Sequence, residues 1–227
     1  MTPVNVASSL QETYDCLREN FGHREWWPGN SPFEVMVGAI LTQNTNWNNV
    51  EKAIGNLEER DVLNPTSLLN LEDEELQDLV RPAGYYRQKS ARLKRLSQWL
   101  MANCDGAVEL LEDWPEDELR KELVSIRGIG PETADSIMLY ALDRLVFVVD
   151  TYTFRYAARH GLIERNCTYY DLQHLFQDNL PQDLDLYRDF HAQIVELGKR
   201  YCKPTPRCQN CPVRPILGKP NIEEESF

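Results

Sequence analysis

The sequence predicts an all-α fold. Apolar residues recur at three- and four-residue spacings through most of its 227 positions. Only one run has strand character, Leu145-Val146-Phe147-Val148-Val149, and it is too short and isolated to build a sheet. Helix-start residues and glycine breakers punctuate the periodic segments.

Helices are expected over 5–21, 33–41, 47–60, 72–80, 88–102, 115–125, 131–142, 151–160, 168–179 and 186–198. Asn46 marks the start before Trp47, and Asn64-Pro65 opens a short turn. Trp114-Pro115 starts the sixth helix, and Asp150 starts the eighth. Gly84, Gly106, Gly161 and Gly198 read as breakers or C-caps. The run 145–149 reads as a buried extended connector. The Glu223-Glu224-Glu225 tail reads as frayed.

A chain of this length can bury a sizeable core. It has no apolar run long enough to span a bilayer and no basic-then-apolar leader, so no membrane partner is expected. Of six cysteines, Cys16, Cys104 and Cys167 are scattered, while Cys202, Cys208 and Cys211 are clustered. That is not a secreted disulfide framework, and a reducing cytoplasm is expected. The formal net charge is −12. Its distribution says more than its total: segments 81–100 and 197–219 each carry six basic and no acidic residues. Two basic patches on an acidic body fit a protein that docks DNA on one face. Two solvated helix faces would give the same pattern.

The most informative stretch is LVSIRGIGPETADSIMLYALDRLVFVVD, residues 123–150. A helix breaks at Gly128-Ile129-Gly130 and restarts at Pro131. Consecutive backbone N–H groups at a helix N-terminus bind phosphate, because the orphan amides and the helix dipole both favour an anion. The glycines supply φ freedom and close backbone approach. Asp150 follows one helix and one connector later, and also suits the N-cap of the next helix.

This stretch resembles the helix-hairpin-helix, Gly/Pro-rich loop and aspartate of the endonuclease III (HhH-GPD) superfamily of DNA glycosylases. FEVMVGAILTQNT, VDTYTFRYAARHG and GKRYCKPTPRCQNCP stand in that family's order and near its spacings. The resemblance implies a two-lobed helix-hairpin-helix glycosylase fold. A six-helix bundle over 33–147 would end in the hairpin, and 1–32 with 148–227 would form a second helical lobe. It implies base excision on double-stranded DNA, with Asp150 stabilising an oxocarbenium-like sugar and directing water.

Family members that also cut the backbone carry a lysine two residues past the Gly-x-Gly turn. Here Glu132 stands there, and a carboxylate forms no imine. The implied activity is therefore monofunctional. Glu132 itself suits the first turn of a helix. Trp26, Trp27 and Trp47 are either core anchors or walls of a base pocket, since indole faces stack on flipped bases and on cationic purines. WWPG, FEVMVGAILTQNT and the absent lysine together resemble the 3-methyladenine branch, so an alkylated purine is the expected substrate. Gln43 and Asn44 lie where the family inserts a polar residue into the gap left by the flipped nucleotide; an ordinary loop amide is the alternative.

Cys202, Cys208 and Cys211 form C-x5-C-x2-C. The family pattern places four cysteines around a [4Fe–4S] cluster. Its fourth would fall at Leu217 here, and the first spacing is one residue short. The alternatives are a cluster with a different fourth ligand (Cys167 or His191), a zinc site, or a vestigial site without metal. Lys199, Lys203 and Arg207 would then contact phosphate. His160 and His191 have no companion at ligand spacing and read as packed or surface residues. A monomer associated with the nucleoid is expected. Two other readings compete: a bifunctional enzyme on oxidised pyrimidines that uses another lysine, and a non-catalytic DNA-binding hairpin protein.

Overall fold

A computed structural model describes residues 5–24, 26–164 and 166–217. Lys219 of the second basic segment and the acidic run at 223–225 lie outside the described residues. Among the described residues there is no strand, and no helix is long and apolar enough to cross a membrane. The fold is all-α, as the periodicity predicts.

The chain divides into two compact units, Trp27–Arg144 and Met1–Trp26 with Leu145–Phe227. In chain order, α1 (Val6–Phe21) opens the discontinuous unit. The continuous unit holds α2 (Pro32–Leu41), α3 (Trp47–Glu59), α4 (Pro65–Asn70), α5 (Asp73–Val80), α6 (Tyr86–Cys104), α7 (Glu116–Ser125) and α8 (Pro131–Ala141). The discontinuous unit resumes with α9 (Thr151–Arg159), α10 (Tyr169–Gln177), α11 (Leu184–Arg200) and α12 (Arg214–Leu217).

In the continuous unit α2 is buried from Phe33 to Leu41 and packs on α8, α3 and α6, so it is the central helix. Ser31 caps it by accepting from the Glu34 N–H at 3.2 Å, and Pro32 occupies its first position. The buried Glu34 carboxylate accepts from the Asn30 N–H at 2.8 Å and fixes the loop that follows Trp27-Pro28. Lys89 of α6 is fully buried. Its Nζ donates to the carbonyls of Leu41 (2.8 Å) and Ala83 (2.7 Å), which satisfies the C-terminus of α2.

The discontinuous unit centres on Phe147, which stacks on Phe176 at 4.3 Å and meets Tyr187 and Phe190 edge-on. The run 145–149 is extended and mostly buried, with no strand partner. Side chains satisfy its backbone instead. Gln177 accepts from the Phe147 N–H at 3.0 Å, and Gln173 donates to the Phe147 carbonyl at 2.8 Å.

Three expectations need correction. Residues 65–70 and 214–217 are short helices rather than turns or loop. Gly198 is not a breaker: α11 continues to Arg200, and a Cβ on Gly198 would lie 2.1 Å from Tyr152 Cδ1. The glycine lets α9 approach α11 closely. Gly130 adopts φ −92°, so it does not use the freedom expected of it.

Candidate functional site

Asp150 is the N-cap of α9 in a reciprocal capping box. Its Oδ1 accepts from both the N–H and the hydroxyl of Thr153, each at 2.8 Å. That fixes one carboxylate oxygen and leaves Oδ2 toward His191, whose Nε2 is 3.7 Å away. His191 is buried on α11, and the Asp150 side chain keeps 11% of its surface exposed. Burial alone would push the carboxyl up. The His191 imidazole and the Thr153 donors outweigh it and hold Asp150 below the usual carboxylate value. An anchored, ionised carboxylate whose second oxygen faces His191 at 3.7 Å is suited to facing a developing cation. The capping and catalytic readings of this residue are compatible.

The hairpin is α7, the turn and α8. Gly128 adopts φ +101°, which L side chains rarely take, and a Cβ there would lie 2.6 Å from Arg92 Nε. Ile129 is buried, and its N–H closes the turn by donating to the Ile126 carbonyl at 2.9 Å. An anion would therefore meet the amides of Gly128 and Gly130 and the first turn of α8. A Cβ on Gly130 would meet nothing within 4 Å, which leaves room for close approach. Below the turn, Arg120 clamps α7 to α8 through two hydrogen bonds to the Asp135 carboxylate, at 2.6 and 2.7 Å. Glu132 is exposed on the first turn of α8.

Gln43 is tied to this turn. Its Nε2 donates to Thr133 Oγ1 at 2.8 Å and to the Gly128 carbonyl at 3.3 Å, and its Oε1 accepts from Arg92. Asn44 is exposed beside it at φ +54°. The basic segment 81–100 is largely engaged within the fold. Besides the buried Lys89, Arg81 pairs with Asp78, Lys94 with Asp73, and Arg95 bonds the Arg127 carbonyl. Arg87 is exposed. This segment shapes the hairpin more than it forms an open patch.

The structure groups Trp27 with Trp47, edge-on at 5.3 Å, and with Tyr140 at 5.4 Å. Trp27 lies close on α2 at Gly38, where a Cβ would be 2.9 Å from its Nε1. Trp47 donates to Glu51 at 2.8 Å. Both indoles are half-buried. Tyr140 was not singled out by the sequence, because it stands in the apolar run of α8. Trp26 belongs to the other unit, where Lys199 Nζ sits 5.2 Å over its ring. Lys199 and Arg207 are exposed and Lys203 is half-buried.

Cys202, Cys208 and Cys211 line one cavity together with Arg159, His160 and Leu197. Cys167 and His191, the fourth ligands suggested by sequence, do not line it. Cys167 bonds the Thr168 carbonyl in its own loop, and His191 faces Asp150. Arg159, 3% exposed, donates to Cys202 Sγ at 3.1 Å, and Arg155 holds the Cys202 carbonyl at 2.9 Å. Burial pushes the Cys202 and Cys211 thiols up, with Arg159 opposing it at Cys202. Among the described residues no three His, Cys, Asp or Glu side chains are arranged to hold a single metal ion.

Residues 37–182 match the family described as the HhH-GPD superfamily base excision DNA repair protein. A putative DNA repair glycosylase of Methanocaldococcus jannaschii is 44% identical over 92% of this chain and 96% of its own. An endonuclease III of Thermotoga maritima is 32% identical, covering 79% of each chain. The crystal structure of a Helicobacter pylori 3-methyladenine DNA glycosylase (MagIII) bound to 1,N6-ethenoadenine superposes with a TM-score of 0.74. It is 30% identical, over 87% of this chain and 98% of that one. With the hairpin, the capped aspartate and the helical order in place, these matches settle the family: the chain belongs to the HhH-GPD superfamily of base excision DNA repair proteins and is a DNA glycosylase.

Proposed function

We propose that this glycosylase is monofunctional: it hydrolyses the N-glycosidic bond of an alkylated purine and leaves the DNA backbone intact. The observation that carries the reading is twofold: the Asp150 carboxylate is anchored by Thr153, and Glu132 stands at the position of the imine-forming lysine. The glycosidic bond breaks with its electron pair leaving on the base. A cationic purine departs neutral and needs no strong acid. Asp150 Oδ2 stabilises the sugar cation, and water adds to the anomeric carbon and gives up a proton to the carboxylate. His191 positions that oxygen from α11. Trp27, Trp47 and Tyr140 offer electron-rich faces to the base, with a cation–π contribution of about 0.5–2 kcal/mol for a charged purine. The exposed Asn44 and the tethered Gln43 are the candidates for filling the gap, and the amides of Gly128 and Gly130 for binding phosphate. Lys199, Lys203 and Arg207 add phosphate contacts. The enzyme acts as a monomer on double-stranded DNA of the cytoplasmic nucleoid.

A second reading, lyase chemistry on oxidised pyrimidines, is favoured by the 32% identity to an endonuclease III. It needs a reactive amine. Burial pushes Lys89 down to about 8, which would suit an imine, but its Nζ is enclosed and holds two carbonyls. Duplexes carrying 3-methyladenine or thymine glycol, incubated with enzyme with and without borohydride, separate the readings. Release of 3-methyladenine, scission only after alkali and no trapped adduct are expected. Preference for thymine glycol sinks the substrate assignment, and efficient trapping sinks the monofunctional one. Replacing Trp27 by alanine should depress release of the methylated purine more than it depresses duplex affinity, which phosphate contacts dominate.

A further inference from the structure

We propose that His160 is the fourth ligand of an iron–sulfur cluster held by Cys202, Cys208 and Cys211, in place of the missing fourth cysteine. The cysteine triad follows from the family resemblance; the imidazole comes from the structure. His160 closes α9, some forty residues before the first of these cysteines in sequence, yet it lines the same cavity as all three. Its Nδ1 is buried without a hydrogen-bond partner. A buried nitrogen left in that condition costs about 1–3 kcal/mol unless something occupies it. The imidazole is also hydrogen-bonded to the backbone of Leu217. With Nδ1 unpartnered, a neutral ring that carries its proton on Nε2 would present the Nδ1 lone pair to the cavity, the pattern by which a ligating histidine is oriented. Leu217 is also the position at which the fourth cysteine would stand. Helix α12 therefore brings the vacant ligand position against the imidazole that replaces it.

The donor set fits the group. Arg159 is a buried guanidinium bonded to Cys202 Sγ, and its positive charge would offset part of the negative charge of a thiolate-held centre. The three thiols give up protons on ligation and the imidazole binds neutral; when the cluster is built from ferric iron and sulfide, an added thiol reductant supplies the two electrons that bring half of the iron to the ferrous state. A cubane distributes its ligands over the corners of a four-iron cage. Four donors around one cavity can therefore serve it even though no three of them converge on one ion. An imidazole in place of a thiolate removes one negative charge from the centre, which raises its reduction potential.

The test uses the full chain reconstituted anaerobically with ferric iron, sulfide and excess dithiothreitol, whose oxidation to the disulfide supplies the two electrons per cluster, and it is independent of base release. Protein labelled with 15N-histidine, reduced and examined by pulsed electron paramagnetic resonance, should show nitrogen strongly coupled to the cluster. His160→Cys should keep iron and sulfide at wild-type stoichiometry, lose that coupling and shift the potential negative. His160→Ala should lose most of its iron. The proposal is overturned by a wild-type cluster without nitrogen coupling. It is equally overturned by His160→Cys or His160→Ala clusters at unchanged potential, or by protein that retains no iron or takes up a single zinc instead.

Discussion

Replacing Asp135 by alanine should destabilise the protein by about 3–5 kcal/mol, the range for breaking a buried pair by removing one partner. The Asp135 carboxylate is 0% exposed and takes both donors of the Arg120 fork. Arg120 keeps 19% of its side chain exposed and can recover some hydration when its partner is lost, which favours the lower end. About 3 kcal/mol in a chain of this size lowers Tm by roughly 6–12 °C. The pair joins α7 to α8 immediately below the Gly128–Gly130 turn, so the loss also loosens the amides proposed to bind phosphate. Urea unfolding followed by circular dichroism measures the first effect, and undamaged-duplex affinity the second. The double replacement Arg120→Leu with Asp135→Leu should recover most of the stability, because it removes the charge that a single replacement strands. A loss below about 1 kcal/mol for Asp135→Ala, or a double variant as unstable as the single one, would refute the clamp.

Gly128→Ala should cost about 1–3 kcal/mol, because it combines φ +101° with a contact against Arg92. Gly130→Ala should melt near wild type yet bind duplex more weakly, since only the phosphate's approach is obstructed; equal melting temperatures for the two variants would contradict this. Lys89 has its value lowered from 10.5 to about 8, so between those pH values the unfolded chain holds a proton that the folded one has lost. Stability carried by this residue therefore rises over that window, by at most about 3 kcal/mol, and is flat below it. Lys89→Met should remove that slope in urea titrations, and an unchanged slope would show that the amine is not the cause.

Much of the fold was legible because the chain is strongly periodic and well capped. Asn46 and Asp150 cap the helices they were expected to start. The run 145–149 was readable as a connector because nothing nearby could pair with it. What escaped was either too short or too distant in sequence. Residues 65–70 and 214–217 offer barely a turn or two of pattern. Gly198 looks like a helix stop, and only the three-dimensional approach of Tyr152 explains it. Tyr140 is concealed among apolar neighbours of α8, and its partner Trp27 lies more than a hundred residues earlier. His160 has no ligand at close spacing in sequence, and its companions in the cavity arrive from residues 202–211. In the same way, the Asp150–His191 contact joins two helices that no local pattern connects.

The central claim is that Asp150 carries the chemistry, and Asp150→Asn in single-turnover base release tests it most directly. Asparagine caps helices about as well as aspartate, so α9 keeps its N-terminus and the fold is retained. What is lost is the charge facing the sugar cation. Base release from a 3-methyladenine duplex should fall by about 100-fold or more, in line with the removal of one group that stabilises transition-state charge. Duplex affinity and melting temperature should stay close to wild type. Release within a few-fold of wild type would contradict the account and leave Asp150 as a helix cap.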